Sequence, residues 1–178
     1  MIILIVRKNM RLLFTLDTKD YNRNGSRFIR PSSRAIIIKD KKIAMIHSLK
    51  YDYYKFPGGG IEPGEDKITA LIREVEEEAG LIVKLESVRE YGYVHRIQKG
   101  HVEDVLIQDN YYYFCDVEEE ATLQKLDDYE ADEQFTLEFI DPLIAIKINR
   151  KDIQRPKDQI MIEREARVLE YLIKEKQF

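Results

Sequence analysis

The chain has 178 residues, of which 44% are hydrophobic and 35% are charged, a composition typical of one globular domain with a full core. Its formal net charge of −4 argues against broad electrostatic binding to nucleic acid or anionic lipid, so we expect a small ligand as partner rather than RNA. The single cysteine, Cys115, excludes an intrachain disulfide and fits a cytoplasmic location, and its apolar surroundings in the sequence predict a buried thiol.

The N-terminus begins with a short apolar run, Ile2–Val6. A membrane helix needs roughly 18 such residues, so we predict an edge strand instead. No basic segment precedes the run and no small-residue cleavage site follows it, so we expect no signal peptide. Met10 is an alternative start. We therefore treat residues 1-10 as a candidate extra segment of a single domain that covers 1-178.

Segments with strand or helix character alternate with polar connections along the rest of the chain. In order, we predict a strand at Arg11–Asp17, a loop at Asp20–Ser33, a hairpin at Arg34–Ile46, an aromatic stretch at Tyr51–Phe56, a helix at Ile68–Ala79, long antiparallel strands at Leu81–Arg96 and Val102–Val117, an acidic loop at Glu118–Asp132, a strand at Phe135–Ile140, and helices at Pro142–Asn149 and Asp158–Lys176. This order indicates an α+β domain in which helices pack against a mixed or antiparallel sheet.

The helix at Ile68–Ala79 carries four glutamates near its C-terminal end, where negative charge opposes the helix dipole. On a helical wheel Glu74 and Glu78 lie one above the other beside the apolar stripe, with Glu77 on the same side. Glu76 falls on the opposite side and is predicted to face solvent. Three carboxylates therefore share one face of the helix, and that arrangement needs an explanation.

A glycine-rich turn, Pro57–Gly60, precedes this helix. Glycines let the backbone approach a ligand closely, and carbonyl oxygens exposed in such a turn are hard donors. Carboxylates and carbonyls together are the ligands that Mg²⁺ prefers, with Mn²⁺ as a substitute, and no Cys/His cluster is present to favour zinc. A divalent cation would turn the repulsive glutamates into a favourable site.

The turn and helix resemble the signature of the Nudix hydrolase family. Gly59 is followed after five residues by Glu65, and seven more lead to Arg73-Glu74-Val75-Glu76-Glu77-Glu78-Ala79-Gly80-Leu81. Every fixed position of the family pattern G-x₅-E-x₇-R-E-U-x-E-E-x-G-U, where U is a bulky aliphatic residue, is matched. The resemblance implies an α/β/α sandwich with a mixed sheet and the acidic helix of the box.

The resemblance also implies roles for individual residues. Glu74, Glu77 and Glu78 would be metal ligands, with a backbone carbonyl of the Gly58–Gly59 region, here assigned to Gly59, as a further ligand. Glu74 would also orient or deprotonate the attacking water. Arg73 and Glu65 would brace the turn against the helix through an ion pair, and a further acid would come from a loop beyond the box. We choose Glu133 for that acid, with Glu130 and Glu118–Glu120 as alternatives.

Three further residues are candidates for substrate binding. Tyr54 and Phe56 precede the box and could stack on a base, although strand and core packing is the favoured explanation for aromatic residues there. In the branch of the family that removes oxidised purines, an amide side chain shortly before the last helix reads the base. Asp158 occupies that place here, and this departure puts guanine-type recognition in doubt.

The resemblance implies a Mg²⁺-dependent hydrolase that cleaves a diphosphate bond in a nucleoside diphosphate linked to a group X. The expected substrate is a small nucleotide such as a nucleoside triphosphate. One alternative is a catalytically silent module that binds a nucleotide or a protein. Another is an isomerase-type relative, which would need a cysteine near the metal. A homodimer is compatible with the sequence.

Overall fold

The computed structural model describes residues 10–178, so the edge strand predicted at Ile2–Val6 lies outside the described residues and stays a prediction. The strands are β1 Leu12–Asp17, β2 Arg27–Ile29, β3 Ser32–Ile36, β4 Ile38–Lys39, β5 Lys42–Ser48, β6 Tyr53–Lys55, β7 Gly58–Gly60, β8 Leu81–Val83, β9 Arg89–Lys99, β10 Val105–Phe114, β11 Val117–Ala121 and β12 Phe135–Ile140. The helices are α1 Lys67–Ala79, α2 Asp128–Asp132, α3 Pro142–Asn149 and α4 Gln159–Lys174, and a 3₁₀ turn occupies Leu85–Ser87.

A mixed six-stranded sheet forms the centre of the fold, with the order β1-β9-β10-β3-β7 and with β2 paired to β10. The long strands β9 and β10 are antiparallel, as predicted, whereas β1 joins β9, and β2 and β3 join β10, in parallel. The short strand β7 pairs antiparallel with β3 and carries the glycine turn. The sheet therefore holds the glycines in a fixed register beside β3.

Two smaller sheets complete the strand layer. One is antiparallel, with the order β12-β5-β4 and with β6 paired to β5, and it contains the predicted hairpin across Ile38 and Ile43. The other pairs β8 with β11. The tight turn between β4 and β5 places Asp40 and Lys41 at positive φ, the conformation that two-residue hairpin turns require.

Consecutive residues of the central strands supply two separate hydrophobic clusters, because side chains alternate across a strand. Ile36 joins the cluster that contains Val168, Leu169 and Leu172 of α4. Its neighbours Ala35 and Ile37 join the cluster of α1, which contains Leu71, Val75 and Ala79. Helices thus cover the strand layer on both faces, and the predicted α/β/α sandwich is confirmed.

The structure corrects three of the predicted segments. The strand expected at Leu81–Arg96 is divided, because β8 leaves to pair with β11 and the chain turns before β9 begins. The acidic loop expected at Glu118–Asp132 contains most of β11 and all of α2. The helix α2 starts at a capping box in which the Glu130 side chain accepts from the Asp127 N–H at 2.9 Å. The loop expected at Asp20–Ser33 likewise contains β2 and the first residues of β3.

An arginine network lies on the face of the large sheet that α4 covers, and we define it by Arg34, Arg96, Arg164 and Glu165, all buried. Arg164 Nε donates to Glu165 Oε1 at 2.8 Å, and Glu165 Oε2 accepts from the backbone N–H of Phe56 at 2.9 Å. Arg164 Nη1 also donates to Asn110 Oδ1 of β10 at 2.5 Å, so the partners of Arg164 come from its own helix and from the central sheet.

The other two arginines of this network differ in their partners. Arg96 pairs with Asp158, and burial, reinforced by the nearby Arg164, lowers the pKa of Arg96 to about 9. Arg34 Nη1 donates to the carbonyls of Phe56 and Gly58, and Arg34 Nε has no hydrogen-bond partner among the described residues. Arg34 therefore connects the buried network to the glycine turn.

Candidate active site

The acidic helix α1 is fixed at both ends by local interactions. Asp66 caps its N-terminus, where the side chain accepts from the backbone N–H groups of Ile68 at 2.9 Å and Thr69 at 3.0 Å. Gly80 ends it with φ of 64°, and its N–H bonds to the carbonyl of Glu76. The helix is thereby anchored so that its last two turns face the glycine turn.

A cleft of about 530 Å³ lies between α1, the glycine turn, β2 and the segment around α2. Its lining contains six acidic and three basic side chains, so the cleft is negatively charged. The acidic residues are Glu62, Glu74, Glu77, Glu78, Asp127 and Glu130, and the basic residues are Arg30, Arg73 and Lys125. Glu76 lies outside this lining and pairs with Lys125 at 3.3 Å. The structure therefore brings Glu74, Glu77 and Glu78 to one cleft and leaves Glu76 apart.

Gly59 packs directly against the Glu74 carboxylate. A Cβ atom built at Gly59 would overlap both the carboxylate carbon and its oxygens. Gly58 has φ of 132°, and a side chain there would also collide with the backbone of Ser33. The glycines thus allow a carboxylate and a main-chain segment to lie in contact at the floor of the cleft.

Arg73 connects the glycine turn to the acidic helix. Its guanidinium binds Glu65 through two hydrogen bonds of 2.9 Å and donates to the Gly60 carbonyl at 3.1 Å. The same side chain reaches Glu74 at 2.8 Å and Glu77 at 3.1 Å. Hydrogen bonding to Glu65 is the main reason that the pKa of Arg73 is raised. The ion pair between Arg73 and Glu65 is therefore present, with a geometry suited to bracing the turn.

Glu78 is the most buried of the three cleft-facing glutamates, with only 1% of its surface exposed. One carboxylate oxygen pairs with Lys55, which is itself buried, and the other accepts from the Gly58 N–H at 3.0 Å. A buried carboxylate is tolerable only with such partners. Glu78 therefore has a structural role, since it joins Lys55 to the glycine turn, in addition to any role as a ligand.

Of the acids considered beyond the box, the structure places Glu130 in the cleft and Glu133 outside it. The Glu133 carboxylate is buried away from the cleft, where it accepts from Tyr53 at 2.8 Å and Ser48 at 3.0 Å and pairs with Lys157. Glu130, named above as an alternative, lines the cleft. Burial and the neighbouring Glu78 raise the pKa of Glu130. The predicted acid, Glu133, is thus about one helical turn away from Glu130, which lines the cleft.

The predicted substrate-binding residues lie outside the cleft. Tyr54 is buried, stacks on His47 at 4.1 Å and donates to Glu138 at 2.8 Å. Phe56 is fully buried, and its ring meets Tyr112 edge to face at 5.3 Å. Both aromatic residues therefore pack in the core, as in the favoured explanation given above.

Asp158 caps the N-terminus of α4, accepting from the backbone N–H of Ile160 at 3.0 Å, and it pairs with Arg96. Neither contact places it in the cleft lining. The isomerase-type alternative also loses its support, because Cys115 lies outside the cleft lining and burial raises the pKa of its thiol to about 12. The thiol is buried, as predicted.

The structure adds cleft residues that the sequence did not single out. Phe28, Ile29 and Arg30 form one wall, and Tyr129 lies beside Glu130. Two sequence signals were available for them. An apolar pair stands inside an otherwise polar loop at Phe28 and Ile29, and the spacing of Asp127 and Glu130 is that of a capping box. Neither signal shows that these residues face the cleft, because that depends on the pairing of β2 with β10 and on the packing of α2.

The donor set of the cleft fits a hard divalent cation. The lining offers the carboxylate oxygens of Glu74, Glu77, Glu78 and Glu130, which are hard donors. Its acidic side chains also outnumber its basic ones. Within residues 10–178, no three carboxylate, histidine or cysteine side chains are arranged to ligate one ion as they stand. The reason is visible in the contacts, since Arg73 occupies Glu74 and Glu77, and Lys55 occupies Glu78. A bound ion would have to replace some of these pairings.

Burial also affects the proton affinity of Glu74. Its carboxylate is mostly shielded from solvent, and this desolvation raises its pKa even though Arg73 opposes the shift. A carboxylate that holds its proton more tightly than usual is a better proton acceptor. Among the cleft-facing glutamates of α1, Glu74 combines contact with the glycine turn with this raised pKa.

A sandwich fold with a glutamate-lined cleft beside a glycine turn is the architecture implied by the sequence signature. The family model of the NUDIX domain matches residues 29–158. The chain therefore belongs to the NUDIX domain family. None of the helices in residues 10–178 is long and apolar enough to cross a membrane.

Individual relatives agree with this assignment. The chain is 39% identical over 71 residues to the ADP-ribose pyrophosphatase of Methanocaldococcus jannaschii, in a match that covers 38% of this chain and 42% of the relative. The match thus spans less than half of that curated relative.

Two solved structures share the fold. The Bacillus subtilis pyrophosphohydrolase BsRppH is 22% identical, with a TM-score of 0.54, over 82% of this chain and 81% of that one. A MutT NUDIX hydrolase from Burkholderia pseudomallei is 19% identical, with a TM-score of 0.50, over 76% and 97%.

Proposed function

We propose that the protein is a divalent-metal-dependent pyrophosphohydrolase acting on a small nucleotide in which a nucleoside diphosphate is linked to a further group. The observation that carries this proposal is the meeting of Glu74, Glu77 and Glu78 in one cleft, against the glycine turn, in a member of the NUDIX domain family. Glu130 adds a fourth carboxylate to the same cleft.

These carboxylates would hold Mg²⁺, or Mn²⁺ in its place. When bound, such an ion supplies positive charge to phosphate oxygens and makes a bound water more acidic. The role of Glu65 and Arg73 is to keep the glycine turn and the helix in register, because Arg73 binds Glu65, the Gly60 carbonyl and Glu74 at once. Lys55 pairs with Glu78 and fixes the position of that carboxylate.

The reaction is hydrolysis of a phosphoric anhydride. A water oxygen forms a bond to one phosphorus of the diphosphate, the bridging P–O bond breaks, and the bridging oxygen leaves with the second phosphate. Glu74 accepts the proton that the water loses, and its raised pKa suits that role. The products are a nucleoside monophosphate and the phosphorylated remainder, or the corresponding pair from a triphosphate.

A substrate panel tests this proposal. Nucleoside triphosphates, nucleotide sugars, dinucleoside polyphosphates and capped RNA ends are incubated with Mg²⁺ or Mn²⁺ and with a chelator, and the products are separated by chromatography. ADP-ribose joins the panel because a relative of 39% identity is an ADP-ribose pyrophosphatase. We expect turnover of at least one small nucleotide only when a divalent ion is present.

Two neighbouring glutamates provide a matched control. The Glu76 and Glu77 side chains are 39% and 40% exposed, but only Glu77 lines the cleft. We expect Glu77→Gln to lower metal-dependent turnover at least about tenfold and Glu76→Gln to leave it near the wild-type rate. Binding of a nucleotide without hydrolysis under every ion condition would instead identify a silent binding module.

A further inference from the structure

The wall of the cleft formed by β2 exposes large apolar side chains. Phe28 is 44% exposed and Ile29 is 67% exposed, and both line the cleft. Tyr129, which is 54% exposed, lines the same cleft. Exposed aromatic surface inside a concave, charged site is a common mark of ligand contact, because covering it with a ligand removes apolar area from water.

The backbone of β2 holds Phe28 in place. β2 pairs in parallel with β10, with Phe28 opposite Leu106 and Ile29 opposite Ile107. The following residue continues this connection, since the Arg30 N–H donates to the Ile107 carbonyl at 3.1 Å. The ring is therefore carried by a hydrogen-bonded strand rather than by a free loop, and little ordering is required when a ligand stacks on it.

Arg30 is a cation available to a ligand on the same wall. Its guanidinium lies against Gly60, where an added Cβ would be 3.1 Å from Arg30 Nε. Within residues 10–178 its side chain makes no ion pair, in contrast to Arg73 and Lys125 of the same cleft. A guanidinium placed beside a glycine backbone, with its donors available, matches the geometry of a phosphate oxygen.

We infer that Phe28 and Arg30 form a nucleoside-phosphate subsite, in which a planar base stacks on the Phe28 ring and Arg30 contacts a phosphate of the same nucleotide. Tyr129 supplies a second aromatic surface, held by its hydrogen bond of 2.9 Å to Glu130. This inference rests on the proposed function for the identity of the substrate. It assigns the base contact to Phe28 of β2 and the phosphate contact to Arg30, which follows β2. The preferred substrates should therefore contain a planar ring.

A fluorescence titration tests the subsite without any turnover. The chain contains no tryptophan, so Phe28→Trp places its only tryptophan in the cleft, where it can be excited selectively over the tyrosines. Leu85→Trp is the matched control, because Leu85 is 62% exposed and does not line the cleft. AMP and ribose 5-phosphate are titrated into both variants in a chelating buffer.

We expect AMP to quench the emission of the Phe28→Trp protein, ribose 5-phosphate to leave it unchanged, and neither ligand to affect the Leu85→Trp protein. Equal responses to AMP and ribose 5-phosphate, or no response to AMP, would overturn the subsite. This readout still decides the question if the substrate panel shows no hydrolysis, so failure of the subsite and failure of the proposed function can be told apart.

Kinetics on an active nucleotide give a second readout. Loss of one base-stacking contact in Phe28→Ala should raise KM about 10- to 100-fold and leave kcat nearly unchanged. Arg30→Gln should also raise KM. The controls Leu85→Ala and Arg23→Gln should behave as wild type, because both residues are exposed and neither lines the cleft. A Phe28→Ala protein with a lowered kcat and an unchanged KM would show that the ring does not hold the base.

Discussion

The cleft and the arginine network both concentrate charge, but they balance it differently. In the network, Arg164 is fully buried and meets Glu165 at 2.8 Å, and Glu165 in turn accepts from a backbone N–H. In the cleft, six acids face three bases. Burial raises the pKa of Glu74 and Glu130 there, a sign that their charges are incompletely compensated.

This difference separates structural charge from functional charge. A buried ion pair has to recover its desolvation cost through close partners, and the pair of Arg164 and Glu165 has them. A cleft that a ligand enters can leave part of its charge uncompensated, because the ligand provides the balance when it binds. Lys55 lies between these cases, since it is buried like the network but pairs with Glu78 of the cleft.

The largest expected effect comes from the cleft. Glu74→Gln removes the proposed proton acceptor, so we expect kcat to fall about 100- to 10,000-fold. The same change should not reduce the free energy of unfolding at neutral pH in a chelating buffer, because burial already disfavours the Glu74 charge. Steady-state kinetics and urea unfolding measure the two quantities. Wild-type turnover in this variant would remove Glu74 from the mechanism.

The network should respond in the opposite way. Arg164→Met leaves Glu165 buried without its cation, and we expect a loss of about 3–5 kcal/mol in the free energy of unfolding. The double variant Arg164→Met/Glu165→Gln should lose less than the sum of the single changes, because the two residues form one unit. Strictly additive losses in urea unfolding would show that the pair is not coupled.

Lys55 offers a test of the boundary between the two regions. Lys55→Met frees the Glu78 carboxylate to bind an ion. Added Mn²⁺ should therefore raise the Tm of this variant more than the Tm of the wild type. Each kcal/mol of additional binding free energy corresponds to about 2–4 °C in Tm. Lys157→Met is the control, since Lys157 pairs with Glu133 away from the cleft. An equal Mn²⁺ response in both variants would argue against an ion site at Glu78.

The smallest effect concerns pH. A carboxyl group whose pKa is raised in the folded state binds its proton more tightly when the protein is folded. Its contribution to stability is therefore complete below the ordinary pKa of 4.5. That contribution is lost as pH rises through the raised pKa of the folded state. In chelating buffer, the wild type should therefore lose stability relative to Glu74→Gln as pH rises from 4.5. Thermal unfolding of both proteins across that range measures the difference. Parallel curves would mean that the Glu74 pKa is not raised.

Local signals in the sequence were sufficient to predict the helix of the site. The helix is predicted from its apolar stripe, which includes Leu71 and Val75. The Asp66 cap that the structure adds is equally local, as is the Gly80 end. The same holds for Phe135–Ile140 and Pro142–Asn149, whose bounds match the observed β12 and α3. Helical geometry alone also separated Glu76 from the three cleft-facing glutamates.

Features that depend on distant partners could not be predicted in this way. Glu130 and Glu133 are three residues apart in an acidic segment, and only the packing of α2 sends one to the cleft and the other to Tyr53. The alternation of aromatic residues could not show that Tyr54 and Phe56 face the core. The cleft wall at Phe28 arises from pairing between β2 and β10, which are nearly 80 residues apart along the chain.

The three glycines of β7 are identical in the sequence but are required for different reasons. Position 58 is limited by torsion, position 59 by the volume of the Glu74 carboxylate, and position 60 by the clearance needed for the flexible side chain of Arg30. Alanine would consequently distort the chain at the first position, displace the Glu74 carboxylate at the second and merely shift a guanidinium at the third. Tolerance to replacement should therefore increase at the last of these neighbouring positions.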